Sequence, residues 1–393
     1  MKIEVSHTLD VFSAHDWNAL ASPDFPFADY EHLSALEKTG CASPEMGWLP
    51  IYLTAKDDSG HLIAAAYTYV KSHGYGEFVF DHIWERSYAY AGLSYYPKLI
   101  AAVPYTPANG PKVLVHPLQN RRSMERCFAE EMKRVAMHLG CSSVHSLFIP
   151  YQDLKSYEDA DFFVRYGVQF HWNNRGYSSF DDFLGQLKQK RRRQILLERR
   201  QLQEVSGLEI VVHTGEQLVE HDADLMAELY LDTNEKWGSI PCLNKQFFRT
   251  IFRTMSDRIV LFIAKVSGEP VAAALNFMKG SKMFGRYWGT KRDIKHLHFE
   301  LCYYQAIDFC IKNAITVYEA GAQGEHKIPR GFTPQLTYSM HALNDSGFCA
   351  AAHRFVLQEK DALDRQMNEW RLHSAYKEHS VDLSESTVVQ SDH

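Results

Sequence analysis

One stretch of this chain is written twice, and any fold assigned to it has to accommodate the repeat. Residues 51–71 lie without a gap over residues 259–279. Identities fall at Ile51/Ile259, Leu53/Leu261, Ser59/Ser267, Gly60/Gly268, the three alanines that begin at Ala64 and Ala272, and Lys71/Lys279. Each copy reads as a strand, a Ser-Gly turn and a second strand opening on the triple alanine, which is the pattern of a β-hairpin. Recurrence at so long a period points to a duplicated domain rather than a short solenoid repeat.

The segments after the hairpins extend the parallel. The first is followed by an aromatic strand over residues 77–81, a loop rich in Tyr, Pro and Gly, and a short strand over 112–115. A helix then carries Met124, Phe128, Met132, Val135 and Leu139 on one stripe, Gly140 stands at its C-cap, and residues 144–149 read as a buried strand. The second is followed by a strand over 283–288, a basic loop, a helix with Phe299, Cys302, Tyr303, Ala306 and Cys310 at helical spacing, and a strand over 315–319. The pattern predicts a mixed α/β unit in tandem. A chain of 393 residues exceeds what one core usually supports. The expected division is 1–175 and 176–355, the second unit opening with a basic helix, then a C-terminal helix over 356–379 and a disordered tail over 380–393.

A formal net charge of -6 excludes blanket affinity for nucleic acid, so any anion site must be local. No apolar run approaches membrane-spanning length, and the N-terminus lacks a signal peptide's apolar region. Seven cysteines without a Cys-x-x-Cys pair read as reduced thiols of a cytoplasmic protein.

One local basic site stands out. Lys188, Lys190, Arg191, Arg192, Arg193, Arg199 and Arg200 are opposed only by Glu198, and Phe183, Leu184, Leu187 and Leu197 supply an anchoring face. The segment reads as one helix that begins after residues 178–182 and lies between the two copies. A charge run can be a solvated face. Its one-sidedness and position favour a phosphate-binding role for Lys190, Arg191, Arg192 and Arg193. A phosphorylated cofactor, a nucleotide-linked substrate or RNA would each satisfy it.

The second polar patch follows the strand ending at Glu319. Gly321 and Gly324 permit tight backbone paths, and Gln323, Glu325, His326, Lys327 and Arg330 follow at once. Loops of this composition at a strand's C-terminal end are where α/β enzymes bind substrate. The loop over 88–105 holds Tyr88, Tyr90, Tyr95, Tyr96, Tyr105 and Lys98. It reads either as the lining of an elongated acceptor groove or as a minor core folded back on itself. The cluster His296-Leu-His298-Phe-Glu300 has no paired ligand motif, so no metal is expected and Glu300 is assigned to substrate contact.

Together these residues carry a resemblance. Tyr287-Trp-Gly-Thr, Glu300-Leu-Cys-Tyr-Tyr-Gln-Ala-Ile, the strand ending in Glu-Ala-Gly-Ala-Gln-Gly and the run Lys327-Ile-Pro-Arg-Gly-Phe resemble the second domain of Fem-type peptidoglycan aminoacyltransferases. With Ala89-Tyr-Ala-Gly-Leu-Ser-Tyr-Tyr-Pro-Lys-Leu, Ala102-Val-Pro-Tyr-Thr-Pro, Leu297-His-Phe-Glu-Leu and the basic run from Lys190, the chain resembles the FemAB-like family of N-acyltransferases over roughly residues 10–355. The resemblance implies two tandem GNAT-type acyltransferase domains. It implies transfer of an activated acyl or aminoacyl group to an amine acceptor related to the cell wall. The donor would be aminoacyl-tRNA or acyl-CoA, with no tightly bound cofactor. The alternative is a non-catalytic protein of the same fold that recognises a peptidoglycan precursor, RNA or another anionic ligand. Two features depart from the pattern. The glycine-rich pyrophosphate loop of ordinary GNAT domains is replaced by Gly289-Thr-Lys-Arg-Asp-Ile-Lys-His, and Pro329 stands near where Fem enzymes carry a lysine before Gly-Phe.

Attack of an amine on an activated carbonyl needs a proton acceptor and positive charge or donors for the oxyanion. No Gly-x-Ser-x-Gly elbow or Cys/His pairing is present, in keeping with direct transfer. The expected catalytic residues are Glu325 and His326 as bases, and Lys327 and Arg330 as charge stabilisers. Glu85, Tyr95, Tyr96, Lys98, Gln323 and Glu300 join the basic residues 190–193 as expected substrate contacts.

Overall fold

The computed structural model describes residues 2–322 and 324–377. The first half runs β1 (Ile3–Ser6), α1 (Ala14–Asn18), α2 (Tyr30–Lys38), β2 (Trp48–Lys56), β3 (Leu62–Lys71), α3 (His82–Tyr90), β4 (Lys98–Ala101), β5 (Val113–Val115), α4 (Arg121–His138), β6 (Ser143–Ile149), α5 (Leu154–Glu158) and β7 (Phe163–Asn173). The second half opens with α6 (Phe180–Gln186) and α7 (Gln189–Gln203), then β8 (Leu208–Thr214), α8 (Glu220–Lys236), α9 (Lys245–Thr254), β9 (Ile259–Val266), β10 (Glu269–Lys279) and β11 (Lys282–Thr290). A helical stretch follows as α10 (Leu297–Phe299), a π turn (Glu300–Tyr304) and α11 (Gln305–Lys312). β12 (Val317–Glu319), a 3-10 helix (Glu325–Arg330), β13 (Thr333–Leu343) and α12 (Ser346–Leu372) complete it.

The repeated hairpins are β2–β3 and β9–β10, both antiparallel. Gly60 and Gly268 turn at φ +86° and +87°. In the second copy Ser267 is left-handed too, as a two-residue turn between paired strand ends demands. The triple alanines, Ala64 to Ala66 and Ala272 to Ala274, are buried in both copies.

All the strands join one sheet, in the order β1-β2-β3-β4-β6-β13-β7-β12-β11-β10-β9-β8, with β5 paired to β3. The last strand of each half lies in the other half's territory. β13 pairs with β6, and β7 pairs with β12, while β7 and β13 pair with each other. The β13–β6 ladder covers residues 338–343 of β13, and the β12–β7 ladder covers only residues 171–173 of β7. Between those stretches the sheet narrows to the β7–β13 ribbon. A cleft of about 470 Å³ lies beside it, with Phe80, Phe148, Gln169, Ala322, Tyr338 and Leu363 in its walls. One apolar core, from Trp17 and Trp48 to Phe247 and Phe284, runs across both halves on one side of the sheet.

The halves differ where β4 and β11 should match. β11 is one strand along β10, with a bulge at Arg286 between the paired residues Gly285 and Tyr287. In the first half the equivalent strand is cut in two. β4 pairs with residues 69–71 of β3, β5 with residues 64–66, and residues 102–112 form a strap between them.

Some local expectations are corrected. Residues 77–81 are irregular, because Gly76 and Phe78 both sit at positive φ and break an extended path. The loop expected over 88–105 contains the end of α3 and all of β4. The basic segment is preceded by a separate helix, α6, because Leu187 is extended and pairs with Tyr376. The C-terminal helix begins at Ser346, where Asp345 caps the amides of Gly347 and Phe348. Residues 380–393 lie outside the described residues.

Candidate active site

β11 and β12 run parallel from Lys282–Val317 to Phe284–Glu319 and then part. Past this vertex two glycines face each other closely. A Cβ on Gly321, at φ +83°, would lie 3.6 Å from the carbonyl oxygen of Gly285.

Glu319 closes the vertex. It stands opposite His171 in the β12–β7 ladder, with Oε2 4.0 Å from His171 Nε2, and accepts the backbone N–H of Asn109 at 3.4 Å. Burial pushes its carboxyl up to about 7, opposed by Lys282, Asn109 and Lys112. Burial also carries His171 down to about 3, helped by Lys282 and Lys327, so the imidazole is neutral. Gln169 bridges the group, accepting Asn109 Nδ2 at 3.3 Å and donating to the Pro107 carbonyl at 2.7 Å.

Lys327 is buried in the short helix that follows β12. Its Nζ donates to the Gly321 carbonyl at 2.7 Å, and burial lowers its ammonium to about 8. His326 is at the rim, with Nε2 2.8 Å from the Tyr303 hydroxyl. Partial burial and the charges of Lys327 and Arg330 hold its imidazole below the usual range. Burial takes the neighbouring His298 down to about 4. Glu325 is exposed.

Arg330 has a holding role. Its guanidinium binds Glu198 of α7 at 2.8 and 3.0 Å, donates to the Tyr304 hydroxyl at 2.9 Å and to the His326 carbonyl at 2.7 Å, and lies 3.5 Å over the Phe299 ring. Tyr304 in turn donates to Glu198. Glu300, in the π turn, accepts from Arg199 at 3.0 Å and Gln305 at 2.8 Å through Oε1, while its buried Oε2 has no hydrogen-bond partner. Single π turns inside helices recur at functional sites.

Ile195, Glu198 and Leu202 form the buried face of α7. Lys190, Arg192 and Arg193 are exposed and Arg191 is half-buried. None of the four side chains bonds to another described residue. Four expected contacts sit in the first half with partners of their own. Lys98 is buried between Glu77 at 2.7 Å and Asp81 at 2.5 Å. Tyr95 donates to Asp81 at 2.5 Å and packs on Tyr96. Glu85 lies 3.6 Å from His82 on α3. Gln323 lies outside the described residues. The structure therefore gathers Glu300, His326, Lys327 and Arg330 and keeps Glu85, Tyr95, Tyr96 and Lys98 elsewhere. Glu319, His171, Asn109 and Glu198 were not singled out by sequence. The position of Glu319 at a strand end and that of Glu198 as the lone acid in the basic run were the local signals for them.

Among the described residues no cluster of His, Cys, Asp or Glu is placed to hold a metal ion, and no helix is long and apolar enough to cross a membrane. All seven cysteines are unpaired.

A doubled mixed α/β unit with a parting parallel pair in its sheet defines the class, a tandem GNAT-like fold. The chain belongs to the FemAB-like family, described by peptidoglycan biosynthesis and recognition, whose model matches residues 8–378. The crystal structure of FemX covers 86% of this chain and 97% of its own, at 11% identity and a TM-score of 0.52. A conserved protein of unknown function from Bacteroides thetaiotaomicron VPI-5482 covers 87% and 100%, at 12% identity and 0.51. A tandem GNAT protein from the clavulanic acid biosynthesis pathway covers 87% and 98%, at 10% identity and 0.42. No curated protein matches the sequence. At identities this low, FemX and the Bacteroides protein speak to a shared fold alone.

Proposed function

We propose that the protein transfers an activated acyl or aminoacyl group to an amine acceptor related to peptidoglycan, at the vertex between β11 and β12. One observation carries the reading. A buried acid at the end of β12 and a buried amine in the short helix that follows it, Glu319 and Lys327, are both tuned toward neutrality by burial where the parallel strands part. Perturbed pairs of this kind concentrate at sites of proton transfer.

Glu319 takes a proton from the acceptor ammonium. The free amine attacks the donor carbonyl, forming the C–N bond, and Lys327 stabilises the oxyanion. As the bond from carbonyl carbon to the leaving oxygen or sulfur breaks, Lys327 gives that atom a proton and recovers one from the new amide nitrogen. Arg330 holds the Lys327 loop against α7, and His326 and Tyr303 form the entrance. Lys190, Arg191, Arg192 and Arg193 are the candidate contacts for donor phosphates. Residues 291–296, which follow β11, contain no glycine, and His296 is left-handed at φ +69°. This favours a donor gripped by side chains, such as aminoacyl-tRNA, over a pyrophosphate cradled by backbone amides.

The test is turnover with aminoacyl-tRNA and acyl-CoA donors and an amine acceptor, by mass spectrometry of the product. Glu319→Gln and Lys327→Met should each lose on the order of 10²-fold or more in kcat. Full activity in either variant overturns the assignment.

A further inference from the structure

The two halves pair and then part their parallel strands at equivalent places, and the chain beyond the pairing differs. In the first half β4 and β6 pair from Leu99–Val144 to Ala101–Ser146, and the strap over residues 102–112 then fills the space beyond. The Gly110 N–H donates to the Phe148 carbonyl at 3.1 Å, and Lys112 Nζ donates to the same carbonyl at 3.1 Å and to Gly110 at 2.6 Å. The Tyr67 hydroxyl donates to Pro111 at 2.6 Å, and a Cβ on Gly110 would meet the Phe25 ring at 2.4 Å. Every residue of the strap is buried except Asn109, which is half-buried.

Asn109 meets the end of β12 in the other half. Its backbone N–H reaches Glu319 and its side-chain amide reaches Gln169, which lines the central cleft. The strap is anchored there from the opposite wall, where Arg286 of the β11 bulge donates to the Tyr105 carbonyl at 2.7 Å. The insertion in one half thus docks on the bulge at the equivalent place in the other.

We propose that the transfer site is composite, with Asn109 of the first half acting as the positioning residue that orients the Glu319 carboxylate toward the acceptor amine. The inference rests on the reading of Glu319 as base. Lys282 of β11, His171 of β7, Lys112 of the strap and, through His171, Lys327 are the other titratable groups around that carboxylate. Among these Asn109 is the neutral donor, acting through its backbone N–H while its side-chain amide is held on Gln169. A half-buried amide at the lip also has room to meet a substrate carbonyl, which none of the buried strap residues has.

The experiment is a carbon-13 NMR titration of glutamate-labelled full-length protein, with the Glu319 resonance identified by its loss in Glu319→Gln. In Asn109→Pro, which removes the backbone N–H, the Glu319 midpoint should rise by roughly half a unit to one unit, because a donor to the ionised carboxylate is lost, and in Asn109→Ala, which keeps that N–H, it should rise less. The acid limb of kcat/KM should move by the same amount. An unchanged midpoint in a variant with native melting behaviour overturns the proposal. A shifted midpoint without any effect on turnover keeps the contact and removes the catalytic reading of Glu319, so the two failures are told apart.

Discussion

Glu319 and His145 hold the same place in the two halves of one sheet. His145 stands beside Ile100 in the β4–β6 ladder as Glu319 stands beside Phe284 in the β11–β12 ladder. Each faces a histidine across the exchanged strand, His341 for His145 and His171 for Glu319. The chemistry differs completely. His145 and His341 share a hydrogen bond between Nδ1 atoms at 2.6 Å and are closed in by Tyr95 and Trp84. Glu319 stays 4.0 Å from its histidine and next to the half-buried Asn109. One vertex is packed with aromatic rings, and the other keeps a buried carboxylate beside a half-buried amide.

The rate should peak in a narrow pH window. Glu319 must be ionised, which favours pH above about 7, and Lys327 must be protonated, which favours pH below about 8. A bell-shaped kcat/KM profile is expected, and Glu319→Gln should lose the acid limb along with most of the rate. A profile flat from pH 6 to pH 9, roughly the range spanning both groups, would remove both from the reaction.

Glu319 should also cost the fold stability at neutral pH. Its folded pKa is raised from 4.5 to about 7, so its favourable contribution is complete below 4.5 and is lost as pH rises through the folded value. Glu319→Gln keeps the neutral shape at every pH. Urea unfolding should show the variant gaining on the native protein as pH rises from 5 to 8, by up to about 3 kcal/mol. Parallel pH dependence of the two proteins would mean that the carboxyl is not desolvated.

The Glu198–Arg330 pair should behave as a latch. Glu198→Ala leaves the Arg330 guanidinium buried without its counter-charge, a defect worth about 3–5 kcal/mol. Chemical denaturation should show the loss, and turnover should fall with it because Lys327 is carried by the same short helix. Glu198→Gln with Arg330→Met should recover much of the stability without the activity.

The basic row on α7 should be expendable for folding. Replacing Arg191, Arg192 and Arg193 by Ala together is expected to change stability by no more than about 0.5 kcal/mol per site, since their side chains have no partners among the described residues. The salt dependence of tRNA binding, measured by filter retention, should flatten by up to about one unit of slope per lost contact. An unchanged slope would return the row to a solvated face.

The sequence by itself determined what local rules control. The two hairpins follow from alternation and a glycine at positive φ, α4 from its apolar stripe, and α7 from its run of good helix formers, although Leu197, read as part of its anchoring face, is exposed and Ile195 and Leu202 are buried in its place. The basic row and the polar loop with His326, Lys327 and Arg330 were legible for the same reason, because side chains close in sequence on one element stay close in space. The aromatic run at 77–81 misled because Gly76 and Phe78 both sit at positive φ, a conformation the run of aromatic residues does not announce. Tertiary structure decided the rest. Unpaired strand edges must be satisfied, and only the folded chain selects which edge accepts which strand, so the exchange of β7 and β13 leaves no trace in the pattern. Arg330 looks free in sequence and is spent on Glu198, and Lys98 is spent on Glu77 and Asp81. Asn109 and Glu319 meet across 210 residues of chain, and the acidity of Glu319 is set by the desolvation that such distant neighbours impose.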